Sequence, residues 1–267
     1  MELTLLAGNF PAYLFTGAIA GIMAGMLGVG GGLVIVPVLV WLFRQQGMDE
    51  SVVMHVAVGS SLATIIVTSI GAIQAHQRRD AVLWEHVKVL TPGILAGALL
   101  GAAVAEQLPT LWLQRLFAIF LLVVGLRMAM NVSAQVQRHM PGSAMSMFAG
   151  AVIGSISSIV GIGGGSLTVP WLSWQRIPMA NAVATSSACG LPIAVAGAIG
   201  FAWTGWGKSA LPEFSTGYLY WPAIAGIVVS SYLLTPLGAK LAHQLPVAVL
   251  RRVFAFLLLV IGLRLLF

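Results

Sequence analysis

The sequence predicts an all-α integral membrane protein made of two homologous four-helix-plus-break repeats. The repeats are expected to be inverted relative to one another, each opening with a glycine-broken re-entrant or discontinuous helix. Three observations predict this. Of the 267 residues, 59% are hydrophobic and only 7% charged, whereas a soluble domain is roughly half apolar and a quarter charged. Residues free of Asp, Glu, Lys and Arg run from Leu3 to Phe43, Ser51 to Gln77, Val89 to Ala105, His139 to Gln175, Ile177 to Gly207 and Phe214 to Ala239, each long enough to cross a bilayer core. Finally, Gly17 to Pro37 (GAIAGIMAGMLGVGGGLVIVP) aligns without a gap on Gly150 to Pro170 (GAVIGSISSIVGIGGGSLTVP), with 9 of 21 positions identical.

Each repeat begins with the segment that carries this motif, Phe10 to Phe43 and Ser143 to Trp174. Glycine inside a helix costs about 1 kcal/mol relative to alanine, so a run of three should interrupt it. A second helix follows at Val52 to His76 and Ala182 to Trp203, a third at Val89 to Ala105 and Tyr218 to Leu241, and a fourth at Leu111 to Met130 and Val247 to Phe267. The fourth helices share 12 of 20 positions between Leu108 to Arg127 and Leu245 to Arg264. Met128 to Gly142 is the natural connector, giving repeats at 1–135 and 136–267, and the extra length of the second repeat is expected around Val229 to Pro236.

Charge distribution bears on topology. If each broken segment returns to the side it entered, Arg78, Arg79, Lys88, Arg127, Arg138, Arg176, Lys240, Arg251 and Arg252 share one face, against Arg44, Arg115, Lys208 and Arg264 on the other. The excess of basic residues marks the cytoplasmic side, which leaves both termini outside. A segment that crossed once would divide the basic residues almost evenly. The net charge of +6 is scattered singly between apolar runs, so it reads as topology rather than a nucleic-acid surface. Lone Cys189 allows no internal disulfide. The N-terminus has no basic stretch or small-residue cleavage site, so no signal peptide is expected.

A half-helix should restart near Leu33 and near Ser166, presenting free N–H groups and the positive end of its dipole to the gap. Such an end suits a small anion. The glycines Gly28, Gly30, Gly31 and Gly32, with Gly161, Gly163, Gly164 and Gly165, either open this site or only permit tight helix packing, as Gly17, Gly21 and Gly25 and Gly93, Gly97 and Gly101 are expected to do. Ser60 and Ser61, repeat-related to Ser186 and Ser187, either donate to the anion or bond back to their own helix. Ser166 and Thr168 stand where the first copy has Leu33 and Ile35, so an asymmetric pocket is expected. Asn181, the repeat mate of His55, is a candidate neighbour of the pocket, while His55, His76, His86 and His243 are read as interfacial. The eight tryptophans fall mostly at helix ends, as in an interfacial belt.

Soluble-enzyme readings fail on the spacing. Gly28-x-Gly30 meets Leu33 where a dinucleotide fingerprint needs glycine, and no Gly-Lys-Ser/Thr occurs. No intramembrane carboxylate pair and no metal-spaced His/Cys cluster is present. No catalysis, metal or cofactor is therefore expected. A transporter is favoured over an anion channel, a membrane assembly or interaction protein, and an intramembrane enzyme.

The duplicated motif G-x-x-x-G-(x)6-G-[VI]-G-G-G-(x)4-P, with a closing LP…R…G-L-R helix, resembles the sulfite exporter TauE/SafE family, also called the toluene sulfonate uptake permease family. The likeness covers essentially the whole chain. It implies a secondary transporter of the bacterial inner membrane for sulfite, sulfonates or other small organic anions, coupled to the proton gradient. Carried over by position, it places Pro37 and Pro170 beside the glycines in the binding region. The expected partners are the small anion, the lipid bilayer and a second copy of the chain in a homodimer, with no nucleic acid.

Overall fold

The computed structural model describes residues 2–27, 31–130, 142–242 and 247–267. For residues 2–9, 26–27, 236, 238–242 and 247–251 it describes the backbone alone. The expected connector at 131–141, Gly28, Gly30 and His243 therefore lie outside the described residues. Among the described residues ten helices follow in order: α1 (Glu2–Leu27), α2 (Gly32–Gln45), α3 (Val53–Gln77), α4 (Trp84–Gln107), α5 (Thr110–Ala129), α6 (Ser143–Val160), α7 (Gly165–Trp174), α8 (Met179–Thr204), α9 (Trp221–Ala242) and α10 (Val247–Leu266). Among them α3, α4, α5, α6 and α8 are long and apolar enough to cross a membrane.

The second break is closed by local chemistry. Gly161 takes φ 74°, the left-handed conformation that glycine adopts without strain. Its N–H donates to Ser158 O at 3.2 Å and that of Ile162 to Ser157 O at 3.0 Å, the paired bonds of a Schellman stop. Gly164 and Gly165 then open α7. In the first repeat Gly31, with φ 72°, directly precedes α2. The two breaks touch, since a Cβ on Gly32 would lie 2.6 Å from Gly161 O. Ser61 Oγ also donates to Gly161 O, at 2.9 Å.

Glycine faces set the helix pairing. The first segment of each repeat packs on the third helix of the other, α1 along α9 and α6 along α4. Cβ atoms on Gly21 and Gly101 would lie 2.5 Å from Ser231 O and Ser155 O, so these helices approach as closely as small residues allow. Gly17, Gly93 and Gly97 face Ile227, Met147 and Ala151 in the same way. At the centre α3 packs on α8, and α5 packs on α10 to one side. The core is aliphatic, with Ile35, Leu39, Met54, Leu62, Ile65, Ile94 and Phe117 fully buried.

Hydrogen bonds tie helix ends into two groups. In one, Arg44 near the end of α2 binds Glu50 at 2.9 Å and Gln114 of α5 at 2.8 Å, and Gln114 donates to Leu265 O at the end of α10. Tyr13 of α1 bonds Gln46 at 2.9 Å, and Thr110 at the start of α5 donates to Ser51 O before α3. Lys208, beyond α8, pairs with Glu106 at the end of α4 at 2.6 Å. In the other group, Thr185 and Asn181 at the start of α8 bond Leu83 N and Ala81 O, which lie between α3 and α4.

Two expectations need correction. The extra length of the second repeat is not near Val229 to Pro236 but between α8 and α9, where residues 205–220 replace a connection that spans only residues 78–83 between α3 and α4. This excursion carries an antiparallel pair of two-residue strands, β1 (Ser215–Thr216) and β2 (Leu219–Tyr220), in an otherwise all-helical fold. It folds over the first repeat, with Tyr220 N donating to Ser60 Oγ at 3.0 Å and the Tyr220 ring edge-on to Phe43. Lastly, His55 is 4% exposed rather than solvated, because Tyr218 stacks on its ring at 5.0 Å and Nε2 bonds Ala105 O at 3.0 Å. Burial pushes the Tyr218 hydroxyl above its ordinary pKa.

Candidate anion site at the second break

A narrow cavity of about 20 Å³ lies in front of α7. That is room for about one water-sized group. Its floor is the backbone of Gly163, Gly164 and Gly165, and its walls are Ser186, Ser187 and Gly190 of α8, with Thr68, Ser69 and Ala72 of α3. Ala24 of α1 and Thr235 of α9 close it. The absence of side chains is what opens the space. A Cβ on Gly190 would sit 3.3 Å from Ser69 Oγ and 3.8 Å from Gly164 N, directly over the amide the cavity exposes. A Cβ on Gly164 would lie 2.7 Å from Ile193 Cδ1 and 2.8 Å from Thr168 Oγ1.

Two kinds of donor stand at the second break, and only the first lines the cavity. The first is backbone: among the described residues the N–H groups of Gly163, Gly164 and Gly165 have no backbone acceptor, and they stand at the positive end of α7. The second is hydroxyl. Ser157, Ser158, Ser166 and Thr168 all bury an oxygen without a hydrogen-bond partner. Ser157, Ser158 and Thr168 are 0% exposed. Buried polar atoms are almost always paired, so four unpaired hydroxyls flanking one four-residue break depart from the usual pattern. At the first break the corresponding positions are Ala24, Gly25, Leu33 and Ile35, none of which carries a hydroxyl.

The predicted residues divide accordingly. Gly163, Gly164, Gly165, Ser186 and Ser187 come together around the cavity. Ser186 and Ser187 donate to Val183 O at 2.9 and 3.0 Å, so in this geometry they turn lone pairs rather than protons to it. Ser166 sits in the first turn of α7 with its hydroxyl unpaired. Gly161 lies where the two breaks meet, Gly31 packs on Ala20, and Gly32 packs on Gly161. Pro37 and Pro170 are inside α2 and α7. Ser60 and Ser61 are fully buried and hold Tyr220 N and Gly161 O; neither lines the cavity. Asn181 binds Ala81 O instead of lining it.

Thr68, Ser69, Gly190 and Thr235 are wall residues that the sequence did not single out. Comparing repeats could not find them, because at the offset of 126 residues Thr68 and Ser69 align with Ala194 and Val195. Ser157 and Ser158 were legible as serines standing where the first copy of the motif has Ala24 and Gly25.

Comparison with known proteins places the chain among membrane transporters. The model of the family described as sulfite exporter TauE/SafE matches residues 13–265. A probable membrane transporter protein of Haemophilus influenzae is 36% identical over 250 residues, covering 93% of this chain and 95% of its own. Another from Methanocaldococcus jannaschii is 27% identical, covering 95% and 94%, and YunE of Bacillus subtilis, also a probable membrane transporter protein, is 23% identical, covering 97% and 98%. No solved structure matches the chain.

Proposed function

Because the chain belongs to the sulfite exporter TauE/SafE family of membrane transporters, we propose that it is a secondary transporter of small sulfur-containing or organic anions such as sulfite or sulfonates. The observation that carries this reading is the second break, where the amides of Gly163 to Gly165, without a backbone acceptor among the described residues, line one small cavity, and the unpaired hydroxyls of Ser166 and Thr168 lie in the adjoining first turn of α7. Such a site offers donors and a helix dipole without a fixed cation. It holds an anion while avoiding the cost of a charged side chain at membrane depth. Its size implies that the anion enters as the cavity widens, the α7 half-helix moving against α8.

The same reading makes the halves at 1–135 and 136–267 inverted repeats, with α1–α2 and α6–α7 re-entrant from opposite sides. The two groups of tied helix ends support this, since the end of α2 joins the start of α5 and the end of α10 while the turn between α3 and α4 joins the start of α8. Positive charge then marks the face of Arg78, Arg79 and Arg176 as cytoplasmic. The protein sits in the inner membrane with both termini periplasmic, and the proton gradient drives transport. Counterflow of labelled sulfite in proteoliposomes tests the proposal. Unlabelled sulfite inside should accelerate entry of label, as only a carrier does. Entry unaffected by internal sulfite would indicate a channel, and no entry of sulfite or of an aliphatic sulfonate above protein-free vesicles would contradict the proposal.

A further inference from the structure

Outside the anion cavity, the described residues carry a second concavity, an open groove of about 580 Å³ between α5, α6 and α7. One of its walls is the outer face of α7. Gly165, Thr168 and Leu172 of that helix turn inward and are buried, while Leu167, Pro170, Trp171 and Trp174 line the groove, the two faces alternating at helical spacing. The opposite wall is α6, where Ala149 and Ile153 form the buried floor and Met145, Phe148, Val152 and Ile156 stay 37–67% exposed.

The groove is polar at one end only. Among the described residues Arg127, two residues before the end of α5, is its only charged lining residue, and Trp174 closes α7. The turn after α7 adds Arg176. Tryptophan and arginine at a helix end mark the headgroup level of a bilayer. From Met145 to Ile156 the α6 wall rises about 16 Å at 1.5 Å per residue. That is about half of the roughly 30 Å hydrocarbon core, the depth of one leaflet.

We propose that this groove is a binding site for one anionic phospholipid, with its phosphate on the Arg127 guanidinium and an acyl chain laid between α6 and α7. Three features select this occupant. A cation at the mouth with an apolar body below matches a charged headgroup over a hydrocarbon tail. A planar guanidinium forks two N–H groups onto a phosphate. A groove one leaflet deep suits a lipid tail, whereas a helix from a second copy would run the full thickness. The lipid thereby backs α7 on the face opposite the one that lines the cavity.

Native mass spectrometry of the detergent-purified protein with added phosphatidylglycerol or phosphatidylcholine tests this. The wild type should retain phosphatidylglycerol in preference to phosphatidylcholine. Arg127→Gln should lower phosphatidylglycerol retention about five-fold, since one basic residue near a membrane surface contributes that much, and should erase the preference. Val152→Trp, at an exposed position, should displace both lipids by filling the groove. Arg115→Gln, which removes the charge packed on Trp112 at the start of α5, should change nothing. Wild-type retention of phosphatidylglycerol in both Arg127→Gln and Val152→Trp would overturn the proposal. So would a protein dimer in the wild type that Val152→Trp dissolves, which would make the occupant a second copy.

Discussion

Ser166 and Thr168 replace Leu33 and Ile35 of the first copy, and on the proposed function this exchange of alkyl groups for hydroxyls favours the second break as the anion site. Thr168→Val keeps the shape and removes the donor. A lost hydrogen bond to a charged ligand costs about 1.5–3 kcal/mol, so the half-saturation concentration for sulfite uptake should rise roughly 10- to 150-fold. Ser61→Ala should behave differently. Its hydroxyl holds Gly161 O inside the core, so thermal unfolding in detergent should show a loss of about 1–3 kcal/mol while the half-saturation concentration stays put. Both serine pairs were visible in the sequence as repeat-related hydroxyls, but their duties were not. Whether a hydroxyl faces a cavity, a neighbouring carbonyl or its own helix depends on rotation about the axis, and for Ser60 also on the β2 segment that reaches it from 160 residues away.

Among the elements, α7 and α4 use glycine for opposite purposes. Gly164 opens a cavity, and Gly97 lets α4 press against the backbone of α6 at Ala151. Gly164→Leu should therefore abolish sulfite uptake with the protein still inserted and folded, because the side chain fills the anion's place. Gly97→Leu should first lower yield and unfolding temperature, since overpacking a close helix contact costs about 1–3 kcal/mol or more. Size-exclusion profiles and unfolding curves beside uptake rates separate the two. The broken helices and their neighbours were legible because charge-free length and a glycine run are strong local signals, and α3, α5 and α8 fall within a few residues of the expected spans. The 205–220 excursion was not. Its β1–β2 pair is two residues long on each side and is held by contacts to His55, Ser60 and Phe43, which no local pattern encodes.

At the scale of the molecule, the proposed function combines a duplicated sequence with a cavity lined by residues that differ between the halves. The pairing of α1 with α9 and of α6 with α4 repeats one contact twice, and sequence comparison between halves finds such shared features easily. The cavity lies at the second break, and its walls at Thr68 and Ser69 align with Ala194 and Val195 in the other half, so that comparison hid them. Inverted repeats make a clear topological prediction: single cysteines at Arg78 and at Phe267 should label from opposite sides of the membrane, the first from the cytoplasm. Labelling of both from one side would contradict the inversion. The central claim is that a small anion binds at the second glycine break, and equilibrium binding of radiolabelled sulfite to purified wild type and Gly164→Leu tests it most directly. The account predicts one saturable site per chain in the wild type and none in a Gly164→Leu protein that remains folded; undiminished binding to that variant would contradict it.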